Sequence, residues 1–160
     1  MIKKDKTETA TFAMGCFWKP QLLFDKIPGV IRTEVGYMGG DESHVKVTYQ
    51  DVCSDETGHA EVVQIEFNPR KVDYEELLDI FWKNHNPTTM NRQGPDMGTQ
   101  YRSAIFYYNE RQKKEAESSK KEAQKNWENE IVTKIVEAGK FYKAEEYHQN
   151  YLKKNRGAVC

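Results

Sequence analysis

Three cysteines, one carboxyl on an apolar strand face and two tyrosines are the residues of this 160-residue chain best suited to chemistry. Cys16 stands in "AMGCFW" (13–18), between a glycine and two bulky aromatics. The thiolate is the nucleophilic form of cysteine, so its surroundings decide whether it reacts. Glu61 lies in "AEVVQIEF" (60–67), where period-two alternation puts it on the face of Val63, Ile65 and Phe67. A carboxyl held against that layer has its charged form disfavoured by desolvation and can donate a proton. The alternative is a strand edge from which Glu61 reaches solvent. Tyr49 shares a face with Val47 and Val45 in a short alternating run, so its hydroxyl can point inward, and Tyr101 closes a long polar loop.

Placing these groups requires particular elements. Residues 10–14 predict a short strand broken by Gly15, and 18–26 a helix with Pro20 in its first turn. Cys16 then sits at a strand-to-helix junction, where exposed N–H groups and the positive dipole end favour a thiolate. Phe17 and Trp18 either pack as core or form an apolar pocket beside the sulfur. Strands are expected at 30–37 and 60–67, and the pair Asp73 and Glu76 announces a capped helix with Tyr74, Leu77, Leu78, Phe81 and Trp82 inward. The loop 85–102 is long enough to be functional. A strand at 103–108, a mixed-charge helix at 110–127, a strand at 131–137 and a helix at 144–154 follow. Strands and helices without strict alternation predict an α+β fold. The length fits one catalytic domain over 1–160, with residues 1–9 and 156–160 as mobile tails.

Composition narrows the function. The net charge of −1 gives no electrostatic case for nucleic acid or membrane binding. No apolar run approaches the roughly 18 residues of a membrane helix, and no signal segment is evident. Three sparse cysteines form a poor disulfide framework and suit a reducing compartment, so a cytoplasmic protein is expected. No metal site is expected, because the Cys and His residues lack paired ligand spacing. A Cys–His hydrolase would require His44, His59, His85 or His148 beside Cys16, and none lies in a cysteine-protease motif. A noncatalytic module recognising an apolar peptide through Phe17 and Trp18 is a further reading.

The segment "GCFW" (15–18) resembles the active-site motif of the peptide methionine sulfoxide reductase A (MsrA) family. The resemblance continues through "VGYMGG" (35–40), "VTYQDVCSDETGHAEVVQIEFNP" (47–69), "QGPDMGTQYRSAIFY" (93–107) and "AEEYHQNYLKKN" (144–155), in the family's order. It implies an α+β fold with a ferredoxin-like split βαβ core and a mixed sheet flanked by helices. It also implies that Cys16 attacks the sulfur of a methionine-S-sulfoxide, free or in proteins, and becomes a sulfenic acid. Glu61 would protonate the departing oxygen, Tyr49 and Tyr101 would hydrogen-bond it, and Asp96 would organise the site through water. Phe17 and Trp18 would hold the substrate's methyl group, and His148 would be a buried support.

No cofactor is expected beyond an external thiol: thioredoxin, glutaredoxin with glutathione, or dithiothreitol in vitro. Cys160, in "NRGAVC", stands where a resolving cysteine can lie, without the flanking glycines of a flexible tail. Resolution by Cys160, by a small thiol, or by a second chain are the three outcomes. A monomer is expected, with a disulfide-linked or other dimer as the alternative. Cys53 is expected to be structural.

Overall fold

Alternating apolar residues build the central strands, and a 3.6-residue period builds the helices laid against them. The computed structural model describes residues 6–43, 46–54, 56–156 and 158. In chain order the elements are β1 (Glu8–Met14), α1 (Trp18–Asp25), β2 (Val30–Met38), α2 (Tyr49–Cys53), β3 (Ala60–Phe67) and α3 (Tyr74–Lys83). A small hairpin, β4 (Arg92–Gln93) and β5 (Asp96–Met97), and a 3-10 turn at Thr99–Tyr101 lead into β6 (Ser103–Tyr107). Then come α4 (Glu110–Gln124), β7 (Lys134–Glu137), β8 (Tyr142–Lys143), a 3-10 turn at Glu146–His148 and α5 (Tyr151–Lys154).

Six strands form one sheet in the order β7-β6-β1-β3-β2-β8. β1 is antiparallel to both β3 and β6, β2 is antiparallel to β3 and β8, and β7 alone pairs in parallel, with β6. The inner order β6-β1-β3-β2, with α1 and α3 as the crossovers, is the split βαβ arrangement of an α+β domain. The main core holds Phe12 of β1, whose ring lies 5.6 Å from Phe24 of α1 and 5.2 Å from Phe81 of α3. Fully burying a side chain of this size contributes about 1.5–3 kcal/mol. Strand residues of the alternate face, Ala13, Val62, Ala104 and Phe106 among them, make a smaller cluster. Among the described residues, no helix is long and apolar enough to cross a membrane.

Four local expectations change. β1 starts at Glu8, so residues 8 and 9 belong to the sheet and not to a tail. Tyr49 opens a helix and is not in a strand, because Thr48 and Asp51 form a capping box: Thr48 Oγ1 accepts from the Asp51 N–H, and Asp51 accepts from the Thr48 N–H. The segment 144–154 is not one helix. Asn150 adopts φ 55°, and Gln149 is drawn away to bond the Val35 N–H, the Val35 carbonyl and the Ala144 carbonyl. The loop at 85–102 is organised by β4 and β5, not irregular throughout. Cys160 and His44 lie outside the described residues.

Candidate active site

Gly15 turns the chain between β1 and α1 with φ +90°, a conformation that L side chains rarely adopt. A Cβ there would also stand 2.7 Å from both Cβ and Cγ of Gln93. Gln93 cannot easily yield, since its amide pairs with both the N–H and the carbonyl of Asn86 at 2.8 Å. The next residue, Cys16, is half-buried and lies two positions before the first residue of α1.

Phe17 caps α1 without a side-chain cap of its own. Its N–H donates instead to Glu61 Oε1 at 3.3 Å, so the carboxyl of β3 is tied to the residue after Cys16. Glu61 is 1% exposed and pairs in register with Tyr37 of β2, so it does not fray into solvent. Its other oxygen, Oε2, accepts from Gln100 Nε2 at 3.0 Å. Removal from water disfavours the charged carboxylate, and the two N–H donors counter that penalty. The bond from Phe17 thus ties the Glu61 carboxyl to the residue that follows the Cys16 thiol.

Tyr49 and Tyr101 complete a polar cluster around that acid. Burial pushes the Tyr49 hydroxyl far above its ordinary range, helped by hydrogen bonds with Tyr101 and Cys53 and by the Glu61 charge. Burial likewise pushes Tyr101 up to about 12, with Glu61 and Asp96 adding to the rise while the bond with Tyr49 lowers it. The Gln100 amide also reaches Cys53 Sγ, at 3.5 Å. Asp96, on β5, shares with Cys16 the lining of a cavity of about 220 Å³. Larger clefts between α3 and α4 and along β7 contain none of these residues.

The aromatics form a second group, gathered around His148. The Phe17 ring is 1% exposed, with centroids 5.7 Å from Tyr37 and 5.2 Å from His148. The half-buried Trp18 stacks on Tyr151 at 3.8 Å, and its indole N–H donates to His148 Nδ1 at 3.0 Å. That bond puts the proton of a neutral His148 on Nε2, which is buried without a hydrogen-bond partner among the described residues. Desolvation lowers the His148 pKa, with Glu145 opposing. Glu145 itself accepts from the Tyr37 hydroxyl at 3.1 Å and from the Tyr49 N–H. His85 and His59 have both ring nitrogens bonded elsewhere in the protein, so neither is poised as a base for Cys16.

Gln100, Glu145 and Tyr37 escape sequence reasoning. Gln100 stands in a three-residue 3-10 turn with no periodicity, and the "TQY" stretch beside Tyr101 is its only signal. Among the described residues, no group of three or more His, Cys, Asp or Glu side chains could hold a metal ion.

The family model for peptide methionine sulfoxide reductase matches residues 8–160. Peptide methionine sulfoxide reductase A2-1 of Oryza sativa subsp. japonica is 56% identical over 147 residues, covering 92% of this chain and 78% of its own. Reduced Mxr1 from Saccharomyces cerevisiae superposes with a TM-score of 0.93 at 40% identity, covering 100% of this chain and 92% of that one. Mxr1 in complex with Trx2 gives a TM-score of 0.65 at 29% identity, over 94% of this chain and 90% of that one.

Proposed function

This chain belongs to the peptide methionine sulfoxide reductase family and is an oxidoreductase, and from that premise we propose that it reduces methionine-S-sulfoxide, free or in oxidised proteins, through a sulfenic acid on Cys16. The observation carrying this reading is the bond from the Phe17 N–H to the buried Glu61 carboxyl, one residue past the thiol. The Cys16 thiolate attacks the sulfoxide sulfur while Glu61, protonated, gives its proton to the oxygen. The S=O bond breaks as oxygen passes to Cys16, methionine leaves, and a Cys16 sulfenic acid and a Glu61 carboxylate remain.

Tyr49 and Tyr101 donate hydrogen bonds to the sulfoxide oxygen. Their raised pKa values keep both phenols protonated at neutral pH, as donors must be. Phe17 and Trp18 border the substrate's methyl group, and Asp96 orders water at the site. An external thiol closes the cycle without metal or organic cofactor: thioredoxin, suggested by the Mxr1–Trx2 complex, or glutaredoxin with glutathione. Cys160 is one candidate to condense with the sulfenic acid first. A monomeric enzyme of one catalytic domain, working in a reducing compartment such as the cytoplasm to repair oxidised proteins, fits this chemistry.

The test is turnover of a methionine-S-sulfoxide substrate with dithiothreitol, for which activity is expected and its absence would overturn the reading. Cys16→Ser is expected to abolish turnover. Glu61→Gln is expected to slow methionine formation by about 10²-fold or more while leaving the protein folded.

A further inference from the structure

The cavity beside Cys16 has a lining distinct from the polar cluster of Glu61, Tyr49 and Tyr101. It is walled by Cys16, Lys19, Pro20, Leu23, Gln93 and Asp96, with further residues from the strand and loop around them, and neither tyrosine nor Glu61 lines it. Lys19 and Leu23 are four apart, and Pro20 and Leu23 three apart, so these residues share one face of α1. At about 220 Å³ the cavity is smaller than the roughly 300–1,000 Å³ of sites for drug-sized ligands. An amino-acid-sized molecule suits it.

Displacement at sulfur runs nearly in line, with the incoming sulfur on the far side of the leaving group. In the reduction proposed above, Glu61 and the two tyrosines hold the oxygen as it passes to Cys16, so the hydroxyl of the sulfenic acid starts on their side of the sulfur. A thiol that displaces this oxygen must therefore reach Cys16 from a direction that cluster does not occupy. The cavity offers that approach. It also carries one cation, Lys19, and one anion, Asp96.

We propose that this cleft admits the reducing thiol, and that it is matched to a small zwitterionic thiol, cysteine or a short cysteinyl peptide. The thiol's carboxylate pairs with Lys19 and its ammonium faces Asp96. The proposal rests on the sulfenic acid chemistry above. In the first step the thiol's sulfur bonds to Cys16 Sγ and the S–OH bond breaks; the thiol's proton leaves with the hydroxyl as water, giving a mixed disulfide. A second molecule of the same thiol then attacks the small-thiol sulfur, releasing a small-molecule disulfide and the reduced Cys16. Over the cycle two thiols are oxidised, one sulfoxide is reduced and one water is formed.

The experiment uses full-length protein with Cys53→Ser and Cys160→Ser, so that only an added thiol can react with Cys16. One equivalent of S-sulfoxide loads the sulfenic acid, methionine release is quantified, and loss of the sulfenic acid is followed by dimedone trapping and mass spectrometry. Lys19→Glu is expected to slow attack by cysteine about fivefold and to leave 2-mercaptoethanol unaffected. Leu23→Trp, which fills the cleft, is expected to slow both thiols at least about tenfold. Both variants should release the wild-type amount of methionine in the loading step. Cysteine reacting with the Lys19→Glu protein at the wild-type rate, or both thiols slowed equally by that variant, would overturn the proposal even if the Leu23→Trp protein failed to fold. Failure of the unsubstituted cleft to form any methionine would instead overturn the reductase reading beneath it.

Discussion

Gln100 donates from one amide nitrogen to Glu61 Oε2 and toward Cys53 Sγ, which makes it the side chain that fixes the direction of the acid. Replacing a buried donor to a carboxylate leaves an unsatisfied acceptor at a cost of about 1–3 kcal/mol. Gln100→Leu is therefore expected to slow methionine formation in a single turnover about tenfold, with thiol attack on the sulfenic acid unchanged. Equal slowing of both halves would show that the amide does not act through Glu61. Tyr101, pushed up to about 12 by burial, stays protonated through the working range. Tyr101→Phe should lower the rate without altering the shape of the pH profile between about pH 6 and 9. The placement of Cys16 just before α1 and of Glu61 against the core is legible in sequence, because a glycine break and a period-two mismatch mark them. Gln100 and Glu145 act through single hydrogen bonds between distant segments, and no local pattern encodes such partners.

At the scale of elements, two turns decide whether the site forms. Gly15→Ala meets both an unfavourable φ and the Gln93 side chain, so a loss of about 1–3 kcal/mol is expected in urea unfolding. The same variant displaces Cys16, and its thiol should alkylate at an altered rate. α3 begins with Asp73 Oδ1 accepting from the Glu76 N–H at 2.8 Å, and Asp73→Ala should cost about 1 kcal/mol with activity retained. α3 is readable in advance because it has one buried face and therefore one period, and β3 because its second half alternates between half-buried and buried residues, although its first half is buried on both faces. The stretch 144–154 is not, because its path follows the tertiary bonds of Gln149 to β2 rather than any helical period. Asn150 then accepts the left-handed conformation that redirects the chain, a choice open to asparagine at small cost.

For the whole molecule, half-buried His85 and buried His59 and His148 set the acid limit of stability. The His85 Nδ1–H donates to the Phe81 carbonyl, Ser103 Oγ donates to His85 Nε2, and Thr133 Oγ1 donates in turn to Ser103 Oγ. This chain of bonds joins α3 to β6 and the segment before β7, and it requires a neutral ring. Desolvation lowers His85 to about 4, against about 6.5 in the unfolded chain. Above pH 6.5 its contribution is fully present; as pH falls toward 4 the unfolded state takes a proton that the folded state resists. Stability should therefore drop by about 3 kcal/mol across that window, with His59 and His148 shifted in the same direction. Urea midpoints at pH 7 and pH 4.5 measure the drop, and His85→Gln should flatten it. An unchanged drop in that variant would assign the effect to other groups.

The thiol and the acid both lie within the first 61 residues, yet the groups that hold their surroundings come late in the chain. Glu145 secures Tyr37 and Tyr49, His148 orients Trp18, Gln149 ties down β2, and Tyr151 covers the indole. During synthesis on the ribosome, Cys16 emerges early, whereas its aromatic and polar supports arrive only with residues 145–151. The nascent chain thus carries the Cys16 thiol through most of its elongation before these supports can dock around its neighbours.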